Sequence, residues 1–126
     1  GRYSYSNILG FKLLGVPIVI GFNWVTIIIG AVVLSTKFVK NVKYIPLVAA
    51  IITVLFDLLL EPVATKLFYW SWFNNVIPIK NFITWFVLSY VASDIFIRLE
   101  IKIKSNLPIY YLFAQALFLL LLFFFY

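Results

Sequence analysis

Four stretches of this chain, approximately residues 18–35, 44–67, 79–99 and 108–126, are apolar for long enough to cross a lipid bilayer. A hydrocarbon core takes about 20 helical residues at ~1.5 Å each. Inside it every backbone N–H and C=O needs a partner from the protein, so a chain must cross as helices or as a closed barrel. Barrel strands alternate lipid-facing and lumen-facing residues, whereas these runs are continuously apolar, which favours helices. Charged residues make up 11% of the 126 positions and hydrophobic ones 65%, against roughly 25% charged in a soluble domain. The expected fold is therefore all-α: a polytopic membrane helix bundle of about four spans in a single transmembrane unit covering 1–126. The sequence has no methionine and opens at Gly1 directly into an aromatic stretch, so it is expected to be part of a longer protein.

The connectors carry the charge. Lys37, Lys40 and Lys43 follow the first span, and Arg98, Lys102 and Lys104 follow the third. With four spans these two loops share one side of the membrane, opposite Arg2, Lys12, Lys66 and Lys80. The positive-inside tendency puts the lysine-rich side in the cytoplasm. The net charge of +6 flanks membrane spans and faces anionic headgroups, so membrane lipid is the expected partner and nucleic acid is not.

Against this background two carboxylates stand out, Asp57 and Glu61 in FDLLLEPVATKLFYWSWF (Phe56 to Phe73). Asp57 lies thirteen residues beyond Tyr44, roughly 20 Å up a helix that enters from the lysine-rich side, and thus past the midplane. Glu61 shares its face at i+4. Pro62 removes an N–H and restricts Glu61, so a broken or kinked helix is expected at Glu61–Pro62. Ionisable residues inside a membrane are costly and mark functional sites.

Other polar and aromatic groups fall at the same depth: Asn23 and Trp24 on the first span, Tyr69, Trp70 and Trp72 in the connector, and Asn81, Trp85 and Ser89 on the third span. Each also has a purely structural reading. Tryptophan and tyrosine at span ends form interfacial belts, and Asn23, Asn81 and Ser89 can bond across helices. Lys66 can pair with Glu61. Asp94 sits four residues before Arg98 and reads as an i,i+4 ion pair.

The sequence has neither cysteine nor histidine, so disulfides, thiolate nucleophiles and imidazole bases are excluded. No metal or cofactor site is expected. What is left for catalysis is carboxylates, amides, hydroxyls and aromatic rings. A carboxyl buried in apolar surroundings can keep its proton near neutral pH and act as a general acid. An apolar polyene or isoprenoid is one suitable target, because protonating its double bond gives a tertiary carbocation that aromatic faces stabilise. The residues alone leave other substrates open.

Three ordered blocks, LLGVPIVIGFNW (Leu13 to Trp24), FDLLLEPVATKLFYWSWF, and IPIKNFITWF (Ile77 to Phe86), give the chain a family resemblance. From Tyr3 to Trp85 it resembles the carotenoid biosynthesis membrane protein family that includes the C50 carotenoid (bisanhydrobacterioruberin) hydratase and related carotenoid 1,2-hydratases. Pro17 and Trp24, then Asp57, Glu61 and Pro62, then Trp70, Trp72, Pro78, Asn81 and Trp85 match the family's pattern. Glu61 stands where many relatives have Asp, and Phe68 and Thr84 stand where glycine is usual. Family members are longer, with additional N-terminal helices, so missing helices or other membrane subunits are expected partners.

The resemblance implies hydration of the terminal double bond of an acyclic carotenoid, within a bacterial or archaeal cytoplasmic membrane. Asp57 would be the acid, Glu61 its helper or base, and Asn23, Trp24, Tyr69, Trp70, Trp72, Asn81 and Trp85 the substrate-binding wall. The alternative is a non-enzymatic carotenoid- or lipid-binding subunit of a larger membrane complex.

Overall fold

The computed structural model describes residues 3–126; Arg2, counted above on the lysine-poor side, lies outside them. Before the first helix come β1 (Tyr3–Tyr5), a 3-10 turn at Asn7–Leu9, and a hairpin of β2 (Lys12–Leu13) and β3 (Val16–Pro17). The hairpin turns on Leu14 and Gly15, both with positive φ (53° and 82°), the combination that matches the twist of a two-residue connection. Four long helices follow the expected runs closely: α1 (Ile18–Phe38), α2 (Ile45–Lys66), α3 (Ile79–Arg98) and α4 (Leu107–Phe125). Between α2 and α3 the connector forms a short strand, β4 (Trp70–Trp72). Pro46 and Pro108 sit in the first turns of α2 and α4, where the N–H they lack has no partner in any case.

The chain is an integral membrane protein. Three helices, α1, α2 and α4, are long and apolar enough to span a bilayer. α3 is diluted by Lys80, Asp94 and Arg98, yet it runs antiparallel beside α2 for its whole length. Asn81 at its start bonds Glu61 near the end of α2, and Phe96 and Ile97 near its end pack on the cluster of Ala31, Val32, Ile45 and Ala49. A second apolar cluster ties α1 to α2 and α4 through Trp24, Ile27, Phe56, Val63, Leu112 and Leu119. Large apolar side chains that stay exposed, such as Ile83 and Val87 on α3 and Phe113 and Leu117 on α4, suit lipid.

The expected break at Glu61–Pro62 does not occur: α2 passes through Pro62 and ends at Lys66. One missing N–H this near the C-terminus removes a single rung, and the Thr65 hydroxyl donates to the Glu61 and Pro62 carbonyls (3.1 and 3.0 Å). The helix instead stops in a Schellman motif. The Tyr69 N–H returns to the Ala64 carbonyl and the Phe68 N–H to that of Thr65, with Phe68 at φ 58°. That left-handed conformation favours glycine and costs another residue roughly 1–2 kcal/mol. The pairing of Lys66 with Glu61 is also absent, since the lysine donates to the Phe123 carbonyl at 3.5 Å and lies over the Phe123 ring. The Asp94–Arg98 ion pair forms, at 2.7 Å.

Two substitutions test this packing. A Cβ on Gly30 would stand 2.7 Å from the Pro108 carbonyl oxygen and 3.1 Å from the Leu112 Cβ, and backbone cannot yield cheaply. Gly30→Ala should weaken α1–α4 docking by about 1–3 kcal/mol, read as a lower unfolding midpoint in mixed micelles. Phe68→Gly relieves the left-handed strain at a site 74% exposed and should raise stability by about 1 kcal/mol in the same measurement.

Candidate functional site

Asp57 and Glu61 sit one turn apart on the face of α2 that meets α3. Both are buried, at 0% and 3% exposure. Buried carboxyls need donors, and the donors come from two directions. The Asn81 side-chain nitrogen, one turn into α3, donates to Asp57 Oδ2 at 3.0 Å and to Glu61 Oε1 at 3.1 Å. Its two hydrogens thereby bridge the two carboxyl groups. From the connector, the indole N–H groups of Trp70 and Trp72 both donate to Glu61 Oε2, at 3.0 and 2.8 Å.

Strand periodicity explains how two tryptophans reach one oxygen. Residues i and i+2 of a strand share a face, so β4 turns Trp70 and Trp72 inward and leaves Ser71 outside. β1 pairs with it antiparallel, setting Tyr3 opposite Trp72, Ser4 opposite Ser71 and Tyr5 opposite Trp70. The tyrosine rings back the indoles, with centroids 4.9 Å (Tyr3–Trp72) and 5.9 Å (Tyr5–Trp70) apart, and the serine hydroxyls meet outside at 3.2 Å. Burial pushes the Tyr5 phenol above its ordinary value, with Tyr3 and the Glu61 carboxylate adding to the effect. Tyr5 is thus a neutral O–H at the mouth of the site.

The two carboxyls are served unequally. Glu61 accepts three hydrogen bonds. Asp57 accepts one, and its Oδ1 is buried with no partner among the described residues.

Both carboxyls line a cavity of about 610 Å³ between α1, α2 and α3, covered at one end by β1 and β4. Trp24 and Trp85 line it as well and stack on each other across α1 and α3, with ring centroids 3.9 Å apart and planes 20° from parallel. The rest of the lining is apolar toward Ile28 and Ala92 but includes Lys80, Asn81 and Thr84 on α3. Among the described residues, no group of three or more histidine, cysteine or acidic side chains comes together.

Of the residues singled out in the sequence, Asp57, Glu61, Trp24, Trp70, Trp72, Asn81 and Trp85 converge on this cavity. Asn23 and Tyr69 do not line it. The Asn23 Oδ1 accepts from Gln115 Nε2 at 2.6 Å and from the Tyr111 hydroxyl at 3.1 Å, fastening α1 to α4. Tyr69 packs beside the cluster of Ala64, Trp70 and Trp72 and offers its backbone carbonyl to the Ser6 N–H. Ser89 donates within its own helix, to the Trp85 carbonyl at 2.6 Å. Sequence reasoning missed Tyr3 and Tyr5, although a signal was present: YSY in β1 repeats the aromatic–serine–aromatic spacing of WSW in β4.

Comparison with curated proteins and with solved structures gives no match. The family model described as carotenoid biosynthesis protein, by contrast, matches residues 1–125. The bundle, the acidic pair and its aromatic cover thus lie within one matched unit, and the chain belongs to the carotenoid biosynthesis protein family.

Proposed function

We propose that the protein hydrates the terminal double bond of an acyclic carotenoid inside the membrane, with Asp57 as general acid. The observation that carries this reading is the unpartnered, fully buried Oδ1 of Asp57 beside a carboxylate already supplied with donors, both at the end of a long apolar cavity. Family membership supplies the role in carotenoid biosynthesis; the hydration step is inferred from the chemistry of the site.

The pair of carboxyls begins the cycle with one proton, held on Asp57 because Glu61 collects the N–H donors that favour an anion. Asp57 delivers it to the less substituted carbon of the terminal alkene. The π electrons form the new C–H bond, leaving a tertiary carbocation on the neighbouring carbon. Ring faces in the cavity wall stabilise that charge, and the Asp57 and Glu61 carboxylates add electrostatic stabilisation. A water molecule bonds to the cation, and its surplus proton returns to the acidic pair. The net change is addition of one water, and the pair ends as it began. Asn81 keeps both carboxyls in register, while the indoles hold Glu61 in place.

The rival reading, a pigment-binding subunit without catalysis, uses the same cavity. Membranes containing the full-length protein, given an acyclic carotenoid in isotopically labelled water, should yield a product heavier by one labelled water in mass spectrometry. Asp57→Asn should lower that yield by roughly 100-fold or more, the usual contribution of a positioned acid; full activity in this variant would remove Asp57 from the role. Pigment that copurifies in stoichiometric amount and stays unmodified would favour the subunit. Trp72→Phe keeps the ring but deletes the shortest N–H to Glu61, support worth about 1.5–3 kcal/mol, and should slow hydration by at least about tenfold.

A further inference from the structure

The cavity does not stop at the carboxyls. On α1 it is lined by Gly21, Val25 and Ile28, spaced i, i+4, i+7, and on α3 by Asn81, Trp85, Leu88 and Ala92, spaced i, i+4, i+7, i+11. Each set is one helical stripe, so the cavity is a cleft running along both helices. From Asn81 to Ala92 it extends roughly 16 Å at ~1.5 Å per residue. The stacked Trp24 and Trp85 form its back, since Trp24 is only 5% exposed. Its front is open: Val25 and Leu88 are 57% and 50% exposed, on a level where lipid surrounds the bundle. Thr84, Leu88 and Ala92 also line the neighbouring hollow on the outer face of α3, so the cleft merges with the lipid-facing surface.

Two small residues keep this cleft wide. A Cβ placed on Gly21 meets no heavy atom within 4 Å, so glycine there serves neither a close helix crossing nor an unusual backbone angle. It leaves space in a helix that alanine or leucine would favour. Ala92 does the same from α3. The only hydroxyl along the α3 stripe of the cleft below Asn81, that of Thr84, is spent on the Lys80 carbonyl at 2.8 Å. Below Asn81 the cleft therefore offers its occupant apolar contact alone; its polar groups, Lys80 among them, gather at the carboxyl end.

Resting on the hydration reading, we infer that Gly21 and Ala92 are specificity-determining residues: they hold open a lateral cleft between α1 and α3 in which a linear polyene lies, one end at Asp57 and the rest passing into lipid. A slender rod without end rings enters such a slot sideways from the bilayer and needs no opening of the β1–β4 cover. The chain length beyond the cleft is not measured by the protein, so long acyclic carotenoids of different length share the site, whereas a bulky ring at the reacting end is excluded.

The test is a titration of the purified protein with an acyclic carotenoid, followed by quenching of tryptophan emission and, in parallel, by product analysis. Gly21→Leu and Ala92→Leu should each weaken binding by roughly tenfold or more, the scale set by extra methylenes in a filled apolar site, without lowering the unfolding midpoint. Ala114→Leu, on the exposed face of α4, should bind as the native protein does. Native affinity in Gly21→Leu, or equal losses in Ala114→Leu, would overturn the cleft assignment even where the native protein makes the hydrated product. Selective loss of binding in the two cleft variants with no hydrated product from the native protein would keep the cleft and overturn the hydration reading.

Discussion

Two carboxyl groups in hydrocarbon have to find hydrogen-bond donors, and much of this structure is arranged around that requirement. Leaving a polar group unsatisfied in an apolar setting costs several kcal/mol, and among the described residues no side-chain cation bonds to either Asp57 or Glu61. The donors are neutral N–H groups: one amide from α3 and two indoles from β4. Each arrives on a different segment, so the satisfied site exists only when α2, α3 and the connector are all in place. The tyrosines of β1 extend the dependence to the start of the described chain, because they pack behind the indoles that hold Glu61.

Using neutral donors has an electrostatic consequence. An arginine or lysine against the pair would fix both carboxyls as anions and convert the site into a structural ion pair. Amide and indole N–H groups supply hydrogen bonds to the pair without bringing a formal positive charge against it. Lys66 is engaged with α4, Arg98 pairs with Asp94 on the side of the lysine-rich loops, and Lys80, though it lines the cavity, bonds to neither carboxyl.

The helices were legible in the sequence because lipid imposes one strong rule, backbone self-satisfaction over about 20 residues. The face shared by Asp57 and Glu61 followed from helical spacing, and Asn81 and Trp85 from an estimate of depth. Other features turned on packing that spacing does not encode. Pro62 reads locally as a breaker, yet near a helix end it removes one bond, and the stop comes from the left-handed turn at Phe68. Asn23 stands at the right depth on the wrong face; its partners Gln115 and Tyr111 lie some ninety residues away in sequence. The roles of Trp70 and Trp72 as donors to Glu61 depend on a strand whose partner is β1, a long-range pairing for which only the matched YSY and WSW spacing gave a sign.

That pairing also sets an order of assembly. Ser4 and Ser71 are 67 positions apart, and two membrane helices must be threaded between the making of β1 and the arrival of β4. The donors Trp70, Trp72 and Asn81 all follow α2 in the chain, so the acidic turn acquires them only once the connector and α3 have folded back against it. Until then the acidic turn lacks these donors, and an unsatisfied polar group in an apolar setting costs several kcal/mol. Satisfaction of Glu61 then belongs to the last stage of assembly, when the connector folds back onto β1, so hydrogen bonding of the acidic turn and closure of its cover are one event.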